Sequence, residues 1–121
     1  MSDVRRVEKP WGHEIIWAAT PGYVGKLLHV KKGHALSLQY HKVKDETVYV
    51  QTGILILELE NDRGEMESLR LQPGESRRIQ PGKKHRMTAE TDVDILEAST
   101  NHLDDVVRLE DRYGRTGTSA A

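Results

Sequence analysis

Turn signals recur along this chain about every 8–12 residues, and the intervals between them are short runs that alternate apolar with polar residues. Asn61-Asp62-Arg63-Gly64 reads as a hairpin tip. Gln72-Pro73-Gly74 and Gln80-Pro81-Gly82 place Pro and Gly where a type II turn needs them. Thr20-Pro21-Gly22 and Thr52-Gly53 mark two further breaks. The runs between these signals cover 13–17, 24–31, 35–41, 46–52, 54–60, 66–71, 85–89 and 93–98. No interval carries a convincing helical period, although 102–113 suits either a strand or a short helix. Short strands at this spacing predict an all-β sandwich or barrel, and within that class a jelly roll.

A chain of 121 residues is long enough for one core. Residues 1–8 read as an N-terminal arm, 9–115 as the single domain and 116–121 as a flexible tail. There is no Phe and no Cys, so the core must come from Leu, Ile, Val, Tyr and Trp. The lack of Cys excludes disulfides and thiolate metal sites, leaving His, Glu, Asp and Gln as ligands. Lys and Arg number 18 against 19 Asp and Glu, so bulk charge gives no reason to expect nucleic-acid binding. No residues are left over for a helix-turn-helix, and no apolar run reaches membrane-spanning length. The expectation is a soluble cytoplasmic protein.

The alternation assigns faces. Val24, Lys26, Leu28 and Val30 share one side of a strand, so Lys26 either snorkels at a strand end or projects into a pocket. Ala35, Ser37, Gln39 and His41 share a polar side, opposite Leu36, Leu38 and Tyr40. That apolar set needs a cover: the N-terminal segment, the C-terminal segment or a second subunit, and a homodimer is expected. Gln39 and His41, two apart, point the same way. The polar link 42–45 can turn the chain so that Glu46 enters from the next strand, and His85 would arrive from a separate hairpin. If the four meet, they offer two imidazoles, a carboxylate and an amide oxygen. That set suits one divalent ion, zinc being the first expectation and iron, manganese, cobalt or nickel also fitting. Open positions would remain for water or substrate. On spacing alone the alternative is four side chains that never meet.

The spacing also resembles a known family. Gly33, Gln39-x-His41, Glu46 and Gly53 resemble the first cupin motif, with Gln in place of the first His. Gly74 and Gln80-Pro81-Gly82-Lys83-Lys84-His85 resemble the second, with Gln80 where Pro is usual and Ala89 where Asn is usual. The resemblance implies a small double-stranded β-helix barrel, a single-domain cupin, with one divalent metal on Gln39, His41, Glu46 and His85. It is closer still to the cupin domain of type II mannose-6-phosphate isomerases. Lys9-Pro10-Trp11-Gly12, Lys26, Ser37 to His41, His85-Arg86 and the closing stretch 104–115 carry that likeness. In those enzymes the domain usually follows a guanylyltransferase domain, which this sequence lacks.

What this resemblance implies is aldose–ketose isomerisation of a phosphorylated sugar through an enediolate. Lys26 is then a catalytic candidate, as acid/base or oxyanion partner. Lys44 is a second, standing where the family has a catalytic Arg, and Thr47 stands where it has His. Arg86, Arg108 and Arg115, with Lys44, are candidates for holding the phosphate. Arg108 and Arg115 could instead anchor the C-terminal segment through Asp111 or Glu110. The Lys44 departure also allows a metal-binding cupin that senses a sugar or small molecule without isomerising it. A metal-dependent dioxygenase is a third reading, because open metal positions can also serve oxygen.

Overall fold

The computed structural model describes residues 4–115 and 117–118. The strands are β1 (Arg5–Lys9), β2 (Gly12–Ala19), β3 (Val24–Val30), β4 (Leu38–Tyr40), β5 (Glu46–Thr52) and β6 (Leu55–Glu60). They continue with β7 (Met66–Leu71), β8 (Ser76–Ile79), β9 (His85–Ala89), β10 (Val93–Ser99), β11 (Val107–Glu110) and β12 (Gly117–Thr118). No helix occurs among the described residues. One sheet has the order β1-β2-β3-β10-β5-β8 and the other β12-β11-β4-β9-β6-β7, all neighbours antiparallel. From β3 to β6, and again from β7 to β11, every connection crosses between the sheets. That is the expected all-β jelly roll.

The core follows from the period of two. Leu28, Val30, Val48, Val50, Ile79, Val93 and Ile95 from the first sheet meet Leu55, Leu57, Leu71, Met87 and Ala89 from the second, all buried. Trp11 supplies the one large aromatic in this cluster. The two Gln-Pro-Gly turns close as read: Glu75 N donates to Gln72 O at 3.1 Å and Lys83 N to Gln80 O at 3.2 Å, with φ of 93° at Gly74 and 83° at Gly82. At Gly53, φ is 83° and an added Cβ would lie 2.0 Å from Asp92 O, so only hydrogen fits there.

Three local readings are corrected. Residues 5–8, expected in the N-terminal arm, form with Lys9 a strand paired with β2 from Arg5↔Ile16 to Lys9↔Gly12. The tight Pro10-Trp11 link folds it back, and its main chain needs no apolar alternation to pair along an edge. Ser76–Ile79, which carried no strand signal, pairs with β5 as the other edge of that sheet, burying only Ile79. Leu36 does not share an outer face with Leu38 and Tyr40. The chain leaves regular pairing after Ala35 bridges Thr88, and Leu36 packs against the core. Leu38 and Tyr40 are half-buried. The ambiguous stretch 102–113 contains a strand, β11, and no helix. Of the expected tail, Gly117–Thr118 pairs with β11; residues 116 and 119–121 lie outside the described residues, as do 1–3.

Candidate metal centre

β4 carries Gln39 with His41 just beyond its end, and Gln39 is the register partner of His85 at the start of β9. Glu46, the first residue of β5, comes from the opposite sheet. The sandwich therefore brings the four predicted ligands together. His41, Glu46 and His85 place ligand atoms within 4.8 Å of one another, all buried. Each imidazole Nε2 lies 3.4 Å from Glu46 Oε1.

The far sides of the rings fix what these atoms can do. His41 Nδ1 bonds the carbonyl of Asp105, and His85 Nδ1 the carbonyl of Lys83 at 3.0 Å. A carbonyl only accepts, so each Nδ1 is the donor toward it, and each Nε2 is the nitrogen left facing inward, where it can serve as a ligand. His85 Nε2 and both oxygens of Glu46 are buried without a hydrogen bond among the described residues. His41 Nε2, His85 Nε2 and Glu46 Oε1 converge in a buried site while Glu46 Oε2 faces Lys44, an arrangement that fits a cation among the three converging atoms. Gln39 Nε2 lies 3.5 Å from His41 Nε2, while its Oε1 accepts from Ser37 Oγ at 2.5 Å. Ser37 can accept as well as donate, so a half-turn of the amide brings its oxygen to the same point and keeps the Ser37 contact.

Asp105 holds the loop that carries the site. Its carboxylate accepts from Lys42 N at 3.0 Å, Val43 N at 2.7 Å and Lys44 N at 2.9 Å, while its carbonyl orients His41. Burial works against the charge, but the Lys44, Val43 and Lys42 N–H groups outweigh it and hold the carboxyl at about 2. Asp105→Ala should destabilise the protein by about 1–3 kcal/mol. Ala keeps the carbonyl that orients His41, so metal binding should weaken only through the loosened 42–44 loop, by up to about tenfold. Denaturant titration and chelator competition check both, and unchanged stability would refute the role.

A row of alternating charge crosses the inner face of the first sheet. Lys44 Nζ sits 3.1 Å from Glu46 Oε2 and 3.2 Å from Glu97 Oε2. Glu97 is the register partner of Lys26, whose Nζ lies 3.5 Å from Glu14 Oε2. Glu14 Oε1 is 4.0 Å from Lys9 Nζ. Burial disfavours the ammonium of Lys44, but Glu97 and Glu46 outweigh it and raise its pKa above the usual lysine value. Burial likewise opposes ionisation of Glu46, and Lys44 reverses that, holding the carboxyl well below the ordinary range. Burial and then repulsion from Glu46 push Glu97 up.

Lys26, Lys44, Arg108 and Arg115 all line the cavity above this row, with Gln39 and Glu46. Lys26 is a pocket lysine, not a snorkelling one. Arg86 is not on the cavity wall and pairs with Glu110 at 3.3 Å. Arg115 both lines the cavity and anchors the C-terminal segment, through Asp111 at 3.1 Å. Sequence reasoning missed Glu14 and Glu97. The signal was there: like Lys26, each sits on the apolar side of its strand, beside Ile16 and Ile95. The cavity itself measures about 40 Å³, room for a few waters.

Residues 1–111 match the family described as mannose-6-phosphate isomerase C-terminal. The chain belongs to this family. Mannose-1-phosphate guanylyltransferase of Escherichia coli is 35% identical over 114 residues, covering 92% of this chain and 23% of that protein. The guanylyltransferase ManC of Salmonella typhimurium matches to the same extent, so the chain spans 23% of the length of these relatives. Among solved structures, KdgF from Halomonas sp. superposes with a TM-score of 0.69 at 25% identity, covering 81% of this chain and 86% of that one. The capsular polysaccharide assembling protein CapF of Staphylococcus aureus reaches a TM-score of 0.80 at 18% identity, covering 91% of this chain and 32% of that one. An oxalate decarboxylase variant of Bacillus subtilis reaches 0.78 at 16%, over 90% and 32%. The last two speak to the fold alone, and it is that of a cupin. No helix among the described residues is long and apolar enough to cross a membrane.

Proposed function

We propose that this chain is a metal-dependent cupin that interconverts an aldose and a ketose phosphate, mannose 6-phosphate and fructose 6-phosphate being the first pair to test. One observation carries the reading: the His41, Glu46 and His85 ligand atoms converge beside a cavity whose walls also hold Lys26, Arg108 and Arg115. Family membership supports the substrate class. Gln39, His41, Glu46 and His85 would hold the ion, and zinc is the first candidate. When bound, such an ion supplies a Lewis acid for the oxygens of a sugar.

The reaction takes the proton from the carbon beside the carbonyl and returns it to the neighbouring carbon. A hydroxyl proton crosses between the two oxygens in the same turnover, so no oxidant or second substrate is needed. Lys26 and Glu14, 3.5 Å apart on the cavity wall, are the groups suited to this traffic. Glu14 accepts the carbon-bound proton and the Lys26 ammonium steadies the developing oxyanion. Lys44, tied between two carboxylates, acts as a positioning residue that keeps Glu46 ionised. Arg115, the most exposed of the cavity cations, receives the phosphate, and the buried Arg108 adds positive potential behind it.

The size of the cavity favours a second reading, a cupin that binds a small ligand and catalyses nothing. A hexose phosphate is far larger than a few waters, so it would lie largely in the mouth and outside the depth of the cavity. Incubating metal-reconstituted protein with each sugar phosphate separates the two. Interconversion of mannose 6-phosphate and fructose 6-phosphate is expected, and its absence at full metal content would leave the binding-only reading.

A further inference from the structure

Charged side chains around the cavity are graded in their exposure. The side chains of Lys44 and Lys26 are each 3% exposed and that of Glu14 5%, whereas Lys9 reaches 13% and Arg115 28%. A solute arriving from water therefore meets two cations first. The Lys9–Glu14 separation of 4.0 Å is longer than a hydrogen bond, so the ammonium keeps donors for another acceptor. Arg115 is fixed at the mouth by a two-pronged contact of Nε and Nη2 with Asp111, and the rest of its fork remains for a second anion. These cations crowd one another. Burial lowers the pKa of Lys9, Glu14 works the other way, and repulsion from Lys26, Arg108 and Arg115 adds to the lowering. An anion at the mouth relieves that repulsion.

We propose that Lys9 and Arg115 form an anion-receiving mouth that selects the phosphorylated end of the substrate and leaves its reacting end facing the metal ligands. This rests on the reading of the cavity as the substrate site. It gives Lys9 a role in specificity, and it fits a cavity too small to take a phosphoryl group into its depth. The β1–β2 hairpin explains the placement, because Lys9 is the last residue before the Pro10-Trp11 link and is held by its pairing with Gly12.

Calorimetric titration of metal-loaded protein with mannose 6-phosphate and with mannose tests the proposal. The wild type should bind the phosphate ester at least about tenfold more tightly than the free sugar. Lys9→Met, which keeps the apolar stem, should lose about tenfold for the ester and nothing for mannose. Lys9→Arg should restore the preference, which a purely structural role for Lys9 would not predict. Retained binding of the ester without isomerisation would support the mouth while counting against the isomerase. Equal binding of ester and free sugar by the wild type, no binding of the ester, or an unchanged preference in Lys9→Met would overturn the proposal.

Discussion

Lys44→Met is expected to destabilise the metal-free protein by about 3–5 kcal/mol, the range seen when one partner of a buried ion pair is removed. Lys44 lies between Glu46 and Glu97, at 3.1 and 3.2 Å, and all three are buried. Without the ammonium, two carboxylates face each other where water cannot screen them. One must take up a proton or the chain must open. Glu97 already resists ionisation, through burial and through Glu46, so Glu97 is the group expected to take up the proton in the variant, and Glu46 still loses most of its attraction. Lys44→Arg keeps the charge and should stay within about 1–2 kcal/mol of the wild type, allowing for the larger head group. Urea denaturation of both variants checks this. A loss below about 1 kcal/mol for Lys44→Met would mean that the three groups are not coupled as the distances imply.

His85→Ala should reduce metal affinity by more than about 100-fold, beyond what loss of an outer-shell contact alone produces. Stability separates this from general damage. Without the ion, removing His85 sacrifices packing, the bond to Lys83 and the 3.4 Å approach of its Nε2 to Glu46. The metal-free variant should unfold about 2–4 kcal/mol below the metal-free wild type, so the comparison that counts is the shift that metal adds to each. Saturating metal should raise the melting temperature of the wild type and leave the variant unmoved, since only a folded state that binds the ion gains from it. His41→Ala should behave alike, with a further loss because His41 also ties down Asp105. Equal stabilisation of variant and wild type by metal would refute the assignment.

The sequence was informative wherever a strand buries one face and exposes the other. Val24 to Val30 alternated as read, and Lys26 stood out because a charge on an apolar face has to be explained. The same logic applied to Glu14 and Glu97, but a single charge in a short apolar run is easily passed over until its partner on another strand is known. The four ligands were legible because turn spacing and a two-residue period carry them to one place. The edge strands were not. β1 and β8 are held by main-chain hydrogen bonds to one neighbour, and their side chains are mostly exposed, so composition records little of their pairing. Leu36 was misplaced because alternation fails where a strand becomes irregular, and that irregularity is set by Thr88 and Met87, more than fifty residues away. Arg86 lies off the cavity wall because it is a single step along β9 from His85: His85 points in, so its neighbour points out.

Anomalous diffraction from crystals of metal-loaded protein, collected on either side of the absorption edge of the ion, tests the central claim most directly. The account predicts one strong peak per chain, about 2.0–2.2 Å from His41 Nε2, His85 Nε2 and a Glu46 oxygen, with the Gln39 amide oxygen turned toward it. No peak at that point, or a peak elsewhere with these side chains disposed as they are now, would contradict it.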